Sequence, residues 1–251
     1  MISLADQVVL ITGGSRGIGR AAAILMAKAG AHIAFDYHSN KKAADEVSQQ
    51  IGGLGRKVLA IQGNIAEDKH CREMVDRTVA EFGRLDVLVN NAGIWTYAPI
   101  DEMPENVWRE TIEVNLSGLV YTTRYAVQQM KRQGRGRIIN ISSTAGQRGE
   151  ALHSHYAATK GAIISLTKSW SSELAPQILV NCVAPGWVDT DMSTSSLSDP
   201  KEYQQIISVI PMRRVATAEE IAGPILFLAS DLAGFMTGEI VNVNGGSVLA
   251  G

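Results

Sequence analysis

Residues 8–19 read VVLITGGSRGIG, in which an apolar run leads directly into a glycine-rich turn. The run Val8–Ile11 predicts a buried β-strand, and the pattern after the turn predicts a helix over residues 17–29 that ends at Gly30. Glycines let a backbone turn sharply and approach a pyrophosphate, whose charge is favoured at a helix N-terminus. The spacing T-G-x-x-x-G-x-G differs from the commoner G-x-G-x-x-G pattern, but its place after a first strand predicts a dinucleotide-binding turn.

The same alternation of strand and helix patterns continues along the chain. Further apolar strands are predicted at residues 32–35, 58–61, 87–90, 138–142, 179–183 and 240–243, with helices at 41–54, 67–82, 105–132, 154–175 and 218–230. Apolar strands separated by helices predict an α/β fold with a doubly wound parallel sheet, the Rossmann fold, in a single domain over residues 1–251. Residues 193–211 are rich in serine and turn formers, and we expect an excursion there that acts as a substrate lid.

Composition excludes several classes of function. Of the 251 residues, 45% are hydrophobic and 19% charged, and the net charge of −2 gives no reason to expect a nucleic-acid or anionic-membrane partner. Cys71 and Cys182 lie in apolar segments, which predicts buried free thiols and neither a disulfide framework nor a metal site. Residues 1–6 lack signal-peptide features, and no apolar run approaches the ~18 residues of a membrane span, so we expect a cytoplasmic protein.

A tyrosine and a lysine form the first candidate for chemistry. Tyr156 and Lys160 are four residues apart at the start of a predicted helix, so their side chains share one face. An ammonium ~4 Å from a phenol contributes roughly 4 kcal/mol at an effective dielectric constant of ~20. That attraction would lower the pKa of the tyrosine by up to about three units, and we expect Tyr156 to act as a general acid or base.

Polar residues at the ends of predicted strands accompany this pair. The stretch NNAG at residues 90–93 closes the fourth strand, and Ser142 and Ser143 end the fifth. Asn115 falls inside a predicted helix, where its propensity is poor and a buried amide would need a partner. Since parallel α/β sheets bind ligands at the C-terminal ends of their strands, these residues are expected to surround one site.

Together these motifs resemble the short-chain dehydrogenase/reductase family, from residue 12 to the NVNGG at residues 242–246, and within it the 3-oxoacyl-acyl-carrier-protein reductases. The resemblance implies a metal-free catalytic tetrad of Asn115, Ser143, Tyr156 and Lys160. Ser143 would bond the substrate carbonyl oxygen, and Tyr156 would give it a proton as hydride reaches the carbon. Lys160 would bind the nicotinamide ribose, and Asn115 would hold a water. A homotetramer is implied as well.

The resemblance also implies a set of cofactor-binding residues. They are Gly13, Ser15, Arg16, Gly17, Ile18, Gly19, Tyr37, Ser39, Asn40, Asn64, Ile65, Asn91, Ala92, Gly93, Tyr156, Lys160, Pro185, Gly186, Val188 and Thr190. Asn64 stands where the family usually has an aspartate, which we expect to alter affinity slightly.

The second predicted strand bears on the choice of cofactor. Asp36 comes one residue before the usual NAD-selecting carboxylate, so its side chain should point opposite to that of Tyr37, which takes the discriminating position. With Arg16 in the glycine turn, NADP(H) is favoured and NAD(H) remains possible.

Several alternatives stay open. A Gly13-x-Ser15-x-Gly17 nucleophile elbow of hydrolase type is disfavoured because it needs a late histidine, and the last one is His155.

We expect an NADPH-dependent reductase of a ketone or 3-oxoacyl substrate; the alternatives are an NAD(P)-dependent alcohol or sugar dehydrogenase, or a non-catalytic dinucleotide sensor. A carrier-protein-linked substrate could dock on the basic cluster of residues 131–137, and His153 and His155 are either substrate contacts or exposed loop residues. Substrate identity is expected to depend on residues 193–211, 147–153, Trp95 and Trp187.

Overall fold

The computed structural model describes residues 2–249 and contains a parallel seven-stranded sheet in the order β3-β2-β1-β4-β5-β6-β7. The strands are β1 (Val8–Ile11), β2 (His32–Tyr37), β3 (Val58–Gln62), β4 (Val87–Asn90), β5 (Gly136–Ile141), β6 (Ile178–Pro185) and β7 (Ile240–Val243). In the register of β1, Leu10 lies opposite Ala34 of β2 and Leu88 of β4. The predicted doubly wound parallel sheet in a single domain is confirmed.

The helices connect successive strands and cover both faces of the sheet. They are α1 (Gly17–Lys28), α2 (Lys41–Gly53), α3 (Asp68–Phe82), α4 (Glu105–Ile112), α5 (Gly118–Gln133), α6 (Thr144–Arg148), α7 (Ser154–Leu174), α8 (Thr194–Ser198), α9 (Pro200–Ser208) and α10 (Ala218–Ala229). A five-residue π-helical turn, Glu113–Ser117, joins α4 to α5, and a 3₁₀ turn follows α10 at Asp231–Ala233. The predicted single helix over residues 105–132 is therefore two α-helices with a wider turn between them.

The segment at residues 193–211 contains the two short helices α8 and α9. Its serines and its proline favour helix starts as well as turns: the Asp199 carboxylate accepts hydrogen bonds from the backbone N–H groups of Lys201 and Glu202, and Pro200 occupies the first position of α9. What the sequence predicts as an irregular excursion is thus largely helical.

Each central strand contributes to two cores because its side chains alternate between the faces of the sheet. Val9 and Ile11 pack with α1, α2 and α10, whereas Leu10, between them, packs with α3 and α5. Burying a side chain of this size stabilises the fold by roughly 1.5–3 kcal/mol, so continuous apolar strands define both layers of helices. Within residues 2–249, none of the helices is both long enough and apolar enough to cross a membrane.

The order of the strands places a crevice above β1. The chain runs from β1 outward to β3 on one side and returns to β4 on the other, so the connections after β1 and β4 diverge. Crevices at such reversal points are where open α/β sheets bind their ligands.

Candidate active site

One cavity of about 520 Å³ opens where the strands end, and residues that follow β1, β3, β4 and β5 line it together with Tyr37 and Pro185. It brings together most of the predicted site residues. Those lining it are Gly13, Ser15, Arg16, Gly17, Ile18, Tyr37, Ser39, Asn64, Ile65, Asn91, Ala92, Gly93, Ser143, Tyr156, Lys160, Pro185, Gly186, Val188 and Thr190.

Three predicted residues do not line the cavity. Gly19 supports the glycine turn from behind, because a β-carbon there would lie 2.3 Å from the carbonyl oxygen of Gly13. Asn40 caps α2 by accepting a hydrogen bond from the backbone N–H of Ala43 at 3.0 Å. Asn115 is fully buried. The side chain of Asn40 thus contributes to α2, and Gly19 lets the glycine turn approach α1 closely.

The glycine turn is held by a buried carboxylate. Gly13 has φ +65°, and its backbone N–H donates to Asp36 Oδ1 at 2.6 Å. Asp36 is only 3% exposed, and its Oδ2 lies 3.6 Å from His70 Nε2. Asp36 and Tyr37 both line the cavity, but the Asp36 carboxylate is bonded to the turn itself.

The ends of β1 and β4 are tied by a threonine that is absent from the predicted site residues. Thr12 Oγ1 accepts hydrogen bonds from the backbone N–H groups of Asn91 and Ala92, both at 2.9 Å. The Asn91 side chain donates back to the carbonyl oxygen of Thr12 at 2.9 Å. These bonds fix the spacing of two cavity walls, and the threonine that opens the TGxxxGxG motif is the signal that could have revealed them.

Arg16 has a partner that the sequence does not indicate. Its Nη1 lies 3.1 Å from Asp191 Oδ2, and both side chains are more than half exposed. The pair joins the glycine turn to the segment that leads into α8, across the cavity that both residues line. Screening by solvent makes it a weak contact, so the guanidinium can exchange partners readily.

The two serines after β5 have different surroundings. Ser142 is buried, and its Oγ donates to the carbonyl oxygen of Lys160 at 2.7 Å. Ser143 caps α6, accepting from the backbone N–H of Ala145 at 3.1 Å, and interaction with its hydroxyl lowers the pKa of Tyr156, against the larger effect of burial. The structure therefore places Ser143, and not Ser142, beside the tyrosine.

Tyr156 and Lys160 both lie buried on α7, facing the cavity. Burial raises the pKa of Tyr156 to about 12; hydrogen bonding from Ser143 lowers it, and the negative charge of Glu150 raises it further. Burial likewise lowers the pKa of Lys160 to about 8. The expected lowering of the tyrosine pKa is wrong for the protein chain alone, because burial favours the neutral phenol.

Asn115 sits in the π-helical turn between α4 and α5 and is bonded to the backbone after β4. Its Oδ1 accepts from the N–H of Ile94 at 2.7 Å, and its Nδ2 donates to the carbonyl oxygen of Ile94 at 2.9 Å. The wider turn carries an extra residue that lets the amide face Ile94, and such turns often occur at functional sites. A β-carbon at Gly93 would lie 3.3 Å from Asn115 Oδ1 and 3.6 Å from Lys160 Nζ, so the three residues are immediate neighbours.

Helices α6 and α7 touch through their backbones. A β-carbon at Gly146 would lie 2.4 Å from the carbonyl carbon of Lys160 and 2.7 Å from the N of Gly161. Only a glycine fits there without a shift of one helix against the other. The helix capped by Ser143 is thus fixed directly against the helix that bears Tyr156 and Lys160.

The cavity is also lined by Trp95, Arg148, Glu150 and Trp187, which lie in the segments expected to decide substrate identity, and by Met192, which lies just outside them. The Trp95 ring stacks on His153, with ring centres 4.3 Å apart and planes 7° from parallel. His153 and His155 are both buried, so the exposed-loop interpretation of these histidines is wrong. Glu150 falls within residues 147–153, on which substrate identity is expected to depend, but a carboxylate in a loop has no pattern that distinguishes it from a solvated one, so the sequence does not single it out.

Comparisons with known proteins agree with this geometry. A family model described as enoyl-(acyl carrier protein) reductase matches residues 13–247. A 3-oxoacyl-acyl-carrier-protein reductase of Staphylococcus aureus is 42% identical over 238 residues, covering 94% of this chain and 96% of that protein. A short-chain dehydrogenase/reductase of Brucella melitensis, further described as a glucose/ribitol dehydrogenase, superimposes with a TM-score of 0.92 at 32% identity over 99% of each chain.

The chain belongs to the short-chain dehydrogenase/reductase family. A further solved structure, from Beutenbergia cavernae and described as an NAD(P)-dependent gluconate 5-dehydrogenase with bound NADP at low occupancy, has 36% identity and a TM-score of 0.92 over 98% of each chain. As a member of this family, the protein is an NAD(P)-dependent oxidoreductase that acts on C=O and CH–OH groups. The predicted family and enzyme class are confirmed.

The cavity of this short-chain dehydrogenase/reductase fits a nicotinamide dinucleotide. Free backbone N–H groups at the start of α1 face a turn that lacks side chains at Gly13 and Gly17, which suits a pyrophosphate. In residues 2–249, no group of three or more His, Cys, Asp or Glu side chains is arranged to hold a metal ion. Burial raises the pKa of Cys71 to about 11 and that of Cys182 to about 12, so neither thiol is a nucleophile at neutral pH.

Proposed function

We propose that this enzyme reduces a ketone, with 3-oxoacyl thioesters as the first class to test, using NADPH as the hydride donor and Tyr156 as the general acid. The observation that carries the proposal is the arrangement of Ser143, Tyr156 and Lys160 in the same cavity as the glycine turn. The similarity to 3-oxoacyl-acyl-carrier-protein reductases supports the substrate class.

The side chains supply what carbonyl reduction needs apart from the hydride. NADPH, when bound, provides that hydride to the carbonyl carbon. Tyr156 keeps its proton at neutral pH because burial raises its pKa to about 12, so the phenol is in the form that can donate. The Ser143 hydroxyl, beside the phenol, would bond the same carbonyl oxygen. Lys160, held by a hydrogen bond of 2.9 Å from its Nζ to the carbonyl oxygen of Ile141, would bind the ribose and stabilise the phenolate formed after transfer.

The proposed preference for NADPH rests on the adenosine end of the cavity. No carboxylate occupies the position of Tyr37, and the Asp36 carboxylate is bonded to the Gly13 N–H. Arg16 and Ser39 line the same end and can bond a 2′-phosphate. Measuring kcat/KM with NADPH and NADH tests this part, and a clear preference for NADH would overturn it.

The decisive experiment follows NADPH oxidation with acetoacetyl-CoA and crotonyl-CoA as substrates. A ketone reductase consumes the first, whereas an enoyl reductase, the activity in the description of the matching family model, consumes the second. Tyr156→Phe should bind NADPH normally and lose turnover by about 10²–10⁴-fold. Tyr125→Phe is the matched control, because its hydroxyl bonds Asp68 far from the cavity lining. Full activity in Tyr156→Phe would refute the assigned acid.

We also propose that the protein is a homotetramer, which light scattering tests. Docking of a carrier protein on residues 131–137 is less favoured, since Arg137 pairs with Asp231 at 2.9 Å and Arg135 lies 3.7 Å from Asp86. We therefore expect free thioesters to be reduced without a carrier protein.

A further inference from the structure

A carboxylate, a guanidinium and two indole rings line one part of the cavity. We call Trp95, Arg148, Glu150 and Trp187 the acidic–aromatic subsite; all four line the cavity that also contains Tyr156. A pocket built only for an alkyl chain would be expected to be apolar here.

The Glu150 side chain is largely buried and lies near His153. Its side chain is 23% exposed, and its Oε1 lies 3.9 Å from His153 Nδ1. Burial raises the pKa of Glu150, while the charges of His153 and Arg148 and hydrogen bonding from Trp95 lower it. Glu150 and Tyr156 line the same cavity, so a substrate whose carbonyl lies at Tyr156 can also reach the carboxylate.

The aromatic side chains of the subsite pack against one another and against neighbouring rings. Trp95 stacks on His153 and meets Trp187 edge to face, with ring centres 5.8 Å apart and planes at 83°. Tyr97 packs edge-on against His153 from a further side, at 5.8 Å. Such contacts fix ring orientation, so the walls are formed before a substrate arrives.

These groups suit a hydroxylated substrate. A carboxylate accepts hydrogen bonds from hydroxyl groups, a guanidinium donates to them, and indole faces pack on the C–H bonds between them. An alkyl chain would instead cover Glu150 and Arg148 without replacing their lost hydration, which is unfavourable. Since Glu150 and Arg148 carry opposite charges, the subsite has no strong net charge to attract an ionic group.

We propose that the acidic–aromatic subsite recognises the hydroxyl groups of a short polyhydroxylated ketone, with Glu150 as the specificity-determining residue. This inference rests on the proposed function, of which it narrows the substrate class. The substrate carbonyl lies between Ser143 and Tyr156, and the hydroxyl-bearing carbons extend toward Glu150.

The test compares erythrulose, which carries several hydroxyl groups, with butanone, which carries none. In the wild type, kcat/KM with NADPH should be at least about tenfold higher for erythrulose. Glu150→Leu should lower the ratio of the two kcat/KM values about tenfold or more, and Glu150→Gln, which keeps one acceptor oxygen, should lower it less. Glu81→Leu, an exposed position on α3, is the matched control and should leave the ratio as in the wild type. Acetoacetyl-CoA serves as the alkyl-chain comparison.

Two results would overturn the inference: a wild type that prefers butanone, or a Glu150→Leu variant in which the ratio is unchanged. If no ketone is reduced at all, the proposed function fails. The subsite can then still be tested by measuring whether erythrulose binds to it. Quenching of the protein's tryptophan fluorescence by erythrulose, measured in Tyr156→Phe with NADPH present, should then be weakened by adding Glu150→Leu. Equal quenching with and without Glu150 would refute the subsite itself.

Discussion

Lys160 Nζ lies 5.6 Å from the centre of the Tyr156 ring, and both side chains are buried. At this separation and depth, desolvation dominates each group: it favours the neutral phenol and disfavours the charged amine. The pair therefore has a proton ready on the tyrosine and a weakly held proton on the lysine. Both properties favour reduction, in which the tyrosine must give a proton away and then be resupplied.

Substituting the adjacent residues Ser142 and Ser143 should have different effects on kcat. Ser143→Ala removes the hydroxyl beside Tyr156 and the cap of α6, and we expect kcat to fall by about 10²-fold or more and the free energy of unfolding to fall by about 0.5–2 kcal/mol. Ser142→Ala removes a buried hydrogen bond to the carbonyl oxygen of Lys160, and we expect about 1–3 kcal/mol less stability and a much smaller loss of kcat. Steady-state kinetics and thermal unfolding of both variants test this, and equal losses of kcat would contradict the assignment.

Stability should depend on pH through Lys160. The folded pKa of about 8 lies below the ordinary 10.5, so between these values the unfolded chain binds more protons and stability rises with pH. Between about pH 7 and pH 9 the gain should be on the order of 1 kcal/mol. Above about pH 10 the raised pKa of Tyr156 acts in the opposite sense, because the folded chain then keeps a proton that the unfolded chain loses.

Urea unfolding of Lys160→Met at these two pH values isolates the effect. The variant should be more stable than the wild type near pH 7, where the wild type buries a charge, and the difference should shrink near pH 9. Lys42→Met, at an exposed position of α2, should show the pH dependence of the wild type. A parallel pH dependence in wild type and Lys160→Met would mean that the lysine is not desolvated.

Placing a carboxylate at the adenosine end should reverse the cofactor preference. Tyr37→Asp puts a negative charge where we expect the 2′-phosphate, and repulsion should raise the KM for NADPH about tenfold or more while sparing NADH. Tyr37→Asn is the control for loss of the ring without added charge. If the KM values for both cofactors rose equally in Tyr37→Asp, this position would not contact the 2′-phosphate.

The amide of Asn115 should be needed for the shape of the site as well as for stability. In Asn115→Leu, the N–H and the carbonyl oxygen of Ile94 lose their partners, which should cost about 2–4 kcal/mol in the free energy of unfolding. Asn115→Asp keeps the acceptor for the Ile94 N–H and should be less destabilised. Urea unfolding of the two variants measures the difference, and a Leu variant as stable as the wild type would exclude a bracing role.

The sequence predicts the strands well because runs such as Val8–Ile11 are apolar on both faces, and a parallel sheet between two helical layers follows directly. The π-helical turn at Asn115 cannot be predicted in this way, since one extra residue hardly disturbs the apolar pattern of a long helix.

The predicted lowering of the Tyr156 pKa is wrong because a spacing of four residues reveals a neighbour but not the depth of burial. Asn40 remains a predicted cofactor contact, and its cap on α2 is a second role that the sequence does not indicate. Residues 147–153 are connected with substrate identity by the sequence, but only the folded chain shows that Glu150 lines the cavity together with Trp95.

The backbone contact at Gly146 separates the part of the enzyme that must stay fixed from the part that can be substituted. Because α6 and α7 are locked together there, the groups that move the proton form one rigid block. Trp187, α8 and α9 lie outside that block, on a separate stretch of chain after β6. Substitutions in that stretch can therefore alter which molecules are accepted while leaving the reaction itself intact, so new specificities are open to this protein without rebuilding its chemistry.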